Sequence, residues 1–245
     1  MGSEMCIRDS PGTEPFYVVS SFALVDELSD ESRFHKLVHP ALQVVRNFAG
    51  NGLFTSEYDD PEWGKAHRIL MPAFNPLALR SMYGQMTDIA DQLMLKWSRN
   101  SSGAAVDVAN DFTRLTLDTI ALCSFSYRFN SFYTEGFHPF VNAMARGLHH
   151  AGRKAHALEI QKKLDFIGQH RFQGDIKTME NTVDELISER RRNPSAEGDE
   201  DVLDVMMNAE DPSTGEKLSD ENLRYQLITF LIAGHETTSG LLSFV

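Results

Sequence analysis

Cysteine is nearly absent: Cys6 and Cys123 are the two in 245 residues. Two thiols cannot build the disulfide framework of a small secreted domain, so a reducing, cytoplasmic setting is the default. Positive charge is also short. Lys and Arg number 23 against 35 Asp and Glu, for a net charge of −12, and no basic stripe stands out. That argues against a nucleic-acid surface. Long apolar runs are missing. The longest, such as "LITFLIAG", fall far short of the roughly 20 residues a membrane span needs, so no span is expected. There is no internal repeat, and no shift in composition marks a domain boundary. What remains is 42% hydrophobic and 24% charged, ordinary for a folded globular chain rather than a disordered one.

Both ends lack the usual signals. The opening "MGSEMCIRDSPG" has no apolar h-region and no periodicity. Residues 1–11 are therefore set aside as a foreign or artefactual leader, leaving 12–245 as the folded part. At the other end Val245 falls inside a helical pattern with no Gly cap, no basic last turn and no Pro beyond it. The chain is expected to be part of a longer protein.

The spacing predicts mostly helix with a small β portion. Residues 15–22, "PFYVVSSF", are the one strand candidate. A helix is expected over 30–48, starting at an acidic turn. Another is expected over 59–72, with Asp60 as N-cap, Pro61 at the first position and Pro72 as its end. Asn75 and Pro76 repeat that cap at the head of a helix over 75–100, whose apolar residues Leu79, Met82, Met86, Ile89, Leu93 and Trp97 recur at three or four. Further helices are expected over 106–125, 138–151 and about 155–192, the last closing on the basic "ERRRN", which suits the helix dipole. "NPSAEGDED" and "EDPSTGEKLS" read as loops. The final helix starts at Ser219 as cap, has Asp220 and Glu221 in its first turn, and runs to at least 245.

In that last helix, "FLIAGHETTSGLL" poses a problem. Leu223, Leu227, Phe230, Leu231 and Leu241 mark a core helix, yet His235, Glu236, Thr237 and Thr238 interrupt it. Ala233 and Thr237 share a face, with Gly234 beside them, which would leave a shallow dent where something flat could approach the backbone. The Thr237 hydroxyl can bond back to the carbonyl of Ala233. Glu236 should reach water or a donor, since a buried unpaired carboxylate is costly. Three readings compete: a core helix with satisfied polar residues, a zinc protease helix, and a catalytic dent over a cofactor. The second fails, because Ser239 stands where H-E-x-x-H needs its second His.

"AGHETTS" resembles the oxygen-binding signature (A/G)-G-x-(D/E)-T-(T/S) of the cytochrome P450 haem-thiolate monooxygenases. "WGKAHRILMPAF", with Trp63 and His67, resembles the family's W-x-x-x-R/H helix. "FAGNGLFTS", "TRLTLDTIALCSFSYRFNSFY" and "SDENLRYQLITFLIAGHETTSGLLSF" are similar to the haem domain of self-sufficient bacterial fatty-acid hydroxylases, in which a flavin reductase is fused to that domain. The resemblance runs from about Gly12 to Val245. It implies the N-terminal half of a cytochrome P450 fold, truncated within the long central oxygen-binding helix.

The resemblance also implies roles. The cofactor would be heme b, and the substrates O2 and a hydrophobic, fatty-acid-like molecule. Electrons would come from an NADPH-dependent flavin reductase, fused or separate, carrying FAD and FMN. Thr237 would hold dioxygen and an ordered water, and Glu236 would link that water to solvent. Trp63 and His67 would donate to a haem propionate; many relatives have Arg at the position of His67. Phe74 would pack near the proximal side. Leu53, Ala233, Gly234 and Thr238 join the haem-contacting set. Leu42, Val45, Ala49, Phe54, Leu148 and Ala233 would line the substrate channel, with Phe54 over the haem. Lys65 and Arg68 could face an acidic flavin domain.

The sequence departs from that pattern in two places. Glu14 and Val18 stand where the fatty-acid hydroxylases carry an Arg and a Tyr to hold a carboxylate, although Tyr17 and Arg33 lie nearby. The ligand loop F-x-x-G-x-R-x-C-x-G and the E-x-x-R pair match nothing here, so no metal ligand is assigned: Cys123 reads as a small buried apolar residue. The other class of function left open is a non-catalytic helical lipid-binding or interaction fragment, or a pseudogene product.

Overall fold

A computed structural model describes residues 5–8, 16–30, 32–99, 103, 105–156 and 165–245. Two compact units divide the chain at Leu37. In the first, strand β1 (Met5–Arg8) pairs antiparallel with β2 (Phe16–Val19), Cys6 opposite Val18. The expected strand over 15–22 is shorter because Ser21 caps helix α1 (Phe22–Leu28), accepting the Leu24 N–H at 3.3 Å. Residues 5–8 of the supposed leader thus take part in a strand pair. Asp30 forms a local turn rather than a helix start: its Oδ1 accepts both the N–H and the hydroxyl of Ser32.

The second unit, Val38–Val245, is helical. Helix α2 (Pro40–Ala49) begins ten residues later than expected from its acidic turn. Pro40 explains this, since a residue preceding proline is pushed out of the helical region. Helix α3 (Pro61–Leu70) has the predicted Asp60 cap, which accepts the Glu62 N–H at 3.0 Å. A short 3₁₀ turn over Met71–Phe74 follows, containing Pro72. The expected helix over 75–100 is two, α4 (Pro76–Ser81) and α5 (Tyr83–Arg99), broken at Met82. Of its apolar stripe, Ile89 and Leu93 are buried, while Leu79 and Met86 are exposed. Trp97 turns its indole N–H to Asp111 at 2.8 Å.

Helix α6 (Val108–Phe125), α7 (Pro139–His156) and α8 (Phe166–Arg192) follow the predicted order. Residues 157–164, where part of the last was expected, lie outside the described residues. Helix α9 (Val202–Asn208) is an addition. Asp201 and Asp204 form a capping box that starts it, and Arg190 of α8 donates to Asp201 at 2.7 and 2.6 Å and to the Phe125 carbonyl at 2.9 Å. Helix α10 (Asp220–Leu242) ends three residues short of the predicted limit. It packs along α6, α7 packs along α8, and α2 touches α7, α8 and α10. Phe48, Leu117, Phe140, Met144, Met179, Leu227 and Leu231 are fully buried between them. Among the described residues no helix is long and apolar enough to cross a membrane.

Candidate functional site

Three segments converge on α10. The loop after α2 reaches it first: Leu53 donates its N–H to Gln226 Oε1 at 3.0 Å, and the next residue, Phe54, keeps half of its surface exposed. The turn after α3 reaches it second: the Phe74 and Phe230 rings lie 5.5 Å apart. Helix α6 lies along its other side, where the Thr116 hydroxyl donates to the His235 carbonyl at 3.0 Å.

Helix α10 changes character along its length. Its first half is buried, including Leu223, Gln226, Leu227, Ile228 and Leu231. Its second half exposes Ala233, Glu236, Thr237, Thr238 and Leu241. Leu241, expected in the core, is exposed, as are Glu236, Thr237 and Thr238. Thr237 makes the predicted bond back to the Ala233 carbonyl, at 2.9 Å. Glu236 faces solvent, as a carboxylate without a buried partner must. His235 does not: it is buried with Nδ1 against the Leu231 carbonyl, and burial holds its pKa below the ordinary imidazole value. A neutral imidazole there is a packing and hydrogen-bonding element of the helix.

The candidates on α10 occupy two faces, not one. A Cβ on Gly234 would fall 2.5 Å from Ile120 Cγ1 of α6, so its missing side chain admits the neighbouring helix. Gly234 and Thr238 line an apolar groove of about 400 Å³ with Phe74, Met82, Ile120 and Cys123. Ala233 and Thr237 sit one residue back in each case, about 100° around the helix. Ala233 and Thr237 thus form an exposed stripe beside the groove that Gly234 and Thr238 line.

On α3 the Trp63 and His67 rings stack, 5.0 Å apart and 15° from coplanar, with Tyr58 at 5.3 Å from Trp63. His67 is exposed and Trp63 half-buried. Lys65 and Arg68 do not await an acidic partner. Lys65 is buried between Glu62 and Glu216 at 2.8 and 3.0 Å, and Arg68 grips Asp211 with two bonds of 2.7 Å. The substrate candidates divide in the same way. Val45 and Ala49 are core residues at 3% and 1% exposure, whereas Leu42, Leu53 and Leu148 are partly buried against that core. In the first unit Val18 and Tyr17 are exposed, and Arg33 pairs with Glu27 at 2.8 Å. Glu14 lies outside the described residues.

Cys123 is buried, and desolvation pushes its thiol up to about 11. Among the described residues no three His, Cys, Asp or Glu side chains cluster as a metal site. The donor set does suit a flat, apolar cofactor with anionic edges: aromatic and small residues at Phe54, Phe74 and Ala233, and N–H-bearing rings at Trp63 and His67.

The cytochrome P450 family model matches residues 6–245. The chain is 54% identical over 227 residues to bifunctional cytochrome P450/NADPH–P450 reductase 1 of Bacillus subtilis, covering 93% of this chain and 21% of that protein. It is 53% identical over 232 residues to the corresponding bifunctional protein of Bacillus cereus, covering 95% of this chain and 22% of that one. A self-sufficient cytochrome P450 monooxygenase of Aspergillus niger is 49% identical over 226 residues, covering 92% of this chain and 21% of the relative. The chain thus spans about a fifth of the length of these relatives. It belongs to the cytochrome P450 family.

Proposed function

We propose that this cytochrome P450 chain forms the distal, substrate-facing part of a haem-thiolate monooxygenase domain. The full-length protein would hydroxylate a long-chain, fatty-acid-like substrate with O2 and electrons from an NADPH-dependent flavin reductase carrying FAD and FMN. Haem, when bound, supplies the dioxygen-activating iron. Cys123, buried in α6 and outside any F-x-x-G-x-R-x-C-x-G pattern, is not assigned as a residue that would hold the iron. These residues alone are expected to be inactive.

The observation that carries the reading is the exposed Ala233–Thr237 stripe in the second half of α10, on a helix that also holds the loop before Phe54 through Gln226 and meets Phe74 through Phe230. Ala233 lets a flat ring system approach the backbone. Thr237 holds a hydroxyl at that face, its orientation set by the Ala233 carbonyl, and Glu236, exposed to solvent, would pass protons inward. Trp63 and His67 are assigned to a propionate, where a hydrogen bond to a charged group contributes roughly 1.5–3 kcal/mol. Phe54, Leu42 and Leu148 would contact substrate, with Val45 and Ala49 setting the floor beneath them.

The test is Thr237→Ala in the full-length, haem-loaded protein. We expect NADPH and O2 consumption to continue while product per NADPH falls severalfold. Unchanged coupling would remove Thr237 from the proton path.

A further inference from the structure

Two buried carboxamides hold the loop that bears Phe54, and the chemistry proposed above uses neither. Gln226 has no exposed surface. Its Oε1 accepts the Leu53 N–H at 3.0 Å, and its Nε2 donates to Asn222 Oδ1 at 2.9 Å. Asn222 Nδ2 donates in turn to the Asn51 carbonyl at 3.3 Å, while the Asn222 N–H is capped by Ser219 Oγ at 3.1 Å. A buried amide needs partners for both ends. Here each end is engaged, so the side chains have one orientation, and it faces the loop.

The loop backbone lies directly on the helix. Gly50 has φ +43°, and a Cβ there would fall 2.2 Å from the Tyr225 ring. A Cβ on Gly52 would fall 2.2 Å from Thr229 Oγ1. Thr55 closes the loop on itself, its hydroxyl donating to the Gly50 carbonyl at 2.7 Å. The loop cannot lift or slide without breaking these contacts together.

Positions 222, 226, 229, 233 and 237 recur at four, three, four and four, which is one stripe of a helix. The upper part of the stripe grips the loop, and the lower part is the Ala233–Thr237 face. Gln226 and Ala233 are separated by about 10 Å along a rigid axis. We infer that Gln226, oriented by Asn222, is a positioning residue that fixes the loop bearing the half-exposed Phe54 to the helix that carries Ala233 and Thr237, and so sets which carbon of a chain-like substrate is presented for oxidation. The inference rests on the reading of Phe54 and Thr237 given above.

Gln226→Met keeps length and volume but removes the acceptor. Gln226→Glu, held protonated by burial, keeps both acceptor and donor. In this chain we expect hydrogen exchange of the Leu53 amide, read by NMR, to quicken at least tenfold in Gln226→Met and to stay near the parent rate in Gln226→Glu. In the full-length, haem-loaded protein, Gln226→Met should redistribute the position of hydroxylation on a straight-chain fatty acid toward that of Phe54→Ala, while product per NADPH holds, unlike Thr237→Ala. Should Gln226→Met fail to accumulate, Asn222→Ser is read in the same way, since it frees the Gln226 carboxamide without removing it. Unchanged Leu53 exchange overturns the tether. Faster exchange with unchanged product positions overturns the positioning role. If Phe54→Ala itself leaves product positions unchanged, the reading of Phe54 fails and the positioning role falls with it, whereas the exchange result still decides the tether.

Discussion

Gly234→Ala separates two explanations of a glycine inside the signature helix. If the residue is small to admit a ligand, adding a methyl should stabilise the chain, because alanine is favoured over glycine in a helix interior by about 1 kcal/mol. The structure argues otherwise. The new Cβ would sit 2.5 Å from Ile120 Cγ1, 2.8 Å from its Cδ1 and 3.1 Å from its Cβ. Ile is branched at Cβ and stiff at χ1, so rotation cannot clear all three atoms. Overpacking of this kind costs roughly 1–3 kcal/mol. Set against the propensity gain, the net runs from no change to about 2 kcal/mol of destabilisation. Ile120→Ala removes the two nearest atoms. In that background Gly234→Ala should become stabilising by most of its propensity gain, giving a coupling of about 1–3 kcal/mol between the positions. Guanidinium unfolding of the four combinations, followed by helical circular dichroism, measures this. A Gly234→Ala chain stabilised by about 1 kcal/mol with no coupling to Ile120 would refute the argument. It would also return Gly234 to the ligand face.

Two further outcomes follow from buried groups. Cys123, with its thiol raised from 9.0 to about 11, should react with a thiol reagent at pH 8, in a Cys6→Ser background, about 100-fold more slowly than in the denatured chain; native labelling at the denatured rate would show that the thiol is accessible and unshifted. Arg190→Met should cost about 3–5 kcal/mol, because it strands Asp201 and Asp204 in a buried cluster. Burial raises the Asp204 pKa, but hydrogen bonds from Ser195, the Asp201 N–H and Arg190 outweigh it and hold the carboxyl below its ordinary range. A depressed carboxyl stabilises the fold above its unfolded value of about 4 and loses that contribution as pH falls. Parent unfolding should therefore steepen below about pH 4, and Arg190→Met should show a flatter acid limb; identical acid limbs would refute the assignment.

Where the chain carries local punctuation, the fold was legible. Asp60–Pro61, Asn75–Pro76 and Ser219 cap helices where a short polar side chain or a proline demands it. The acidic turn at Asp30 misled because Asp30 can satisfy its carboxylate on Ser32 two residues away, and the helix waits for Pro40. Helix α9 was hidden by the polar stretch before it, although Asp201 and Asp204 stand at the capping-box spacing; what holds it is Arg190, eleven residues upstream of Asp201. A partner contributed by another helix leaves no periodicity in the segment it stabilises.

The surroundings of the candidate residues on α10 were not legible in direction. Adjacent positions on a helix differ by about 100°, so "AGHETTS" could not by itself say which of Ala233 and Gly234 is exposed and which packs against another helix. The answer lay in Ile120, more than a hundred residues earlier, whose bulk claims the Gly234 side. The tether of the Phe54 loop was hidden for the same reason. Asn222 and Gln226 read as polar residues near a helix start, and their partners, Asn51 and Leu53, are more than 170 residues away in the chain. Yet Asn222 and Gln226 are four apart on one face of the buried half, and buried carboxamides at that spacing need hydrogen-bond partners from another segment. In this chain that segment is the loop bearing Phe54, held at Leu53 and Asn51 by the same helix that presents the Thr237 hydroxyl.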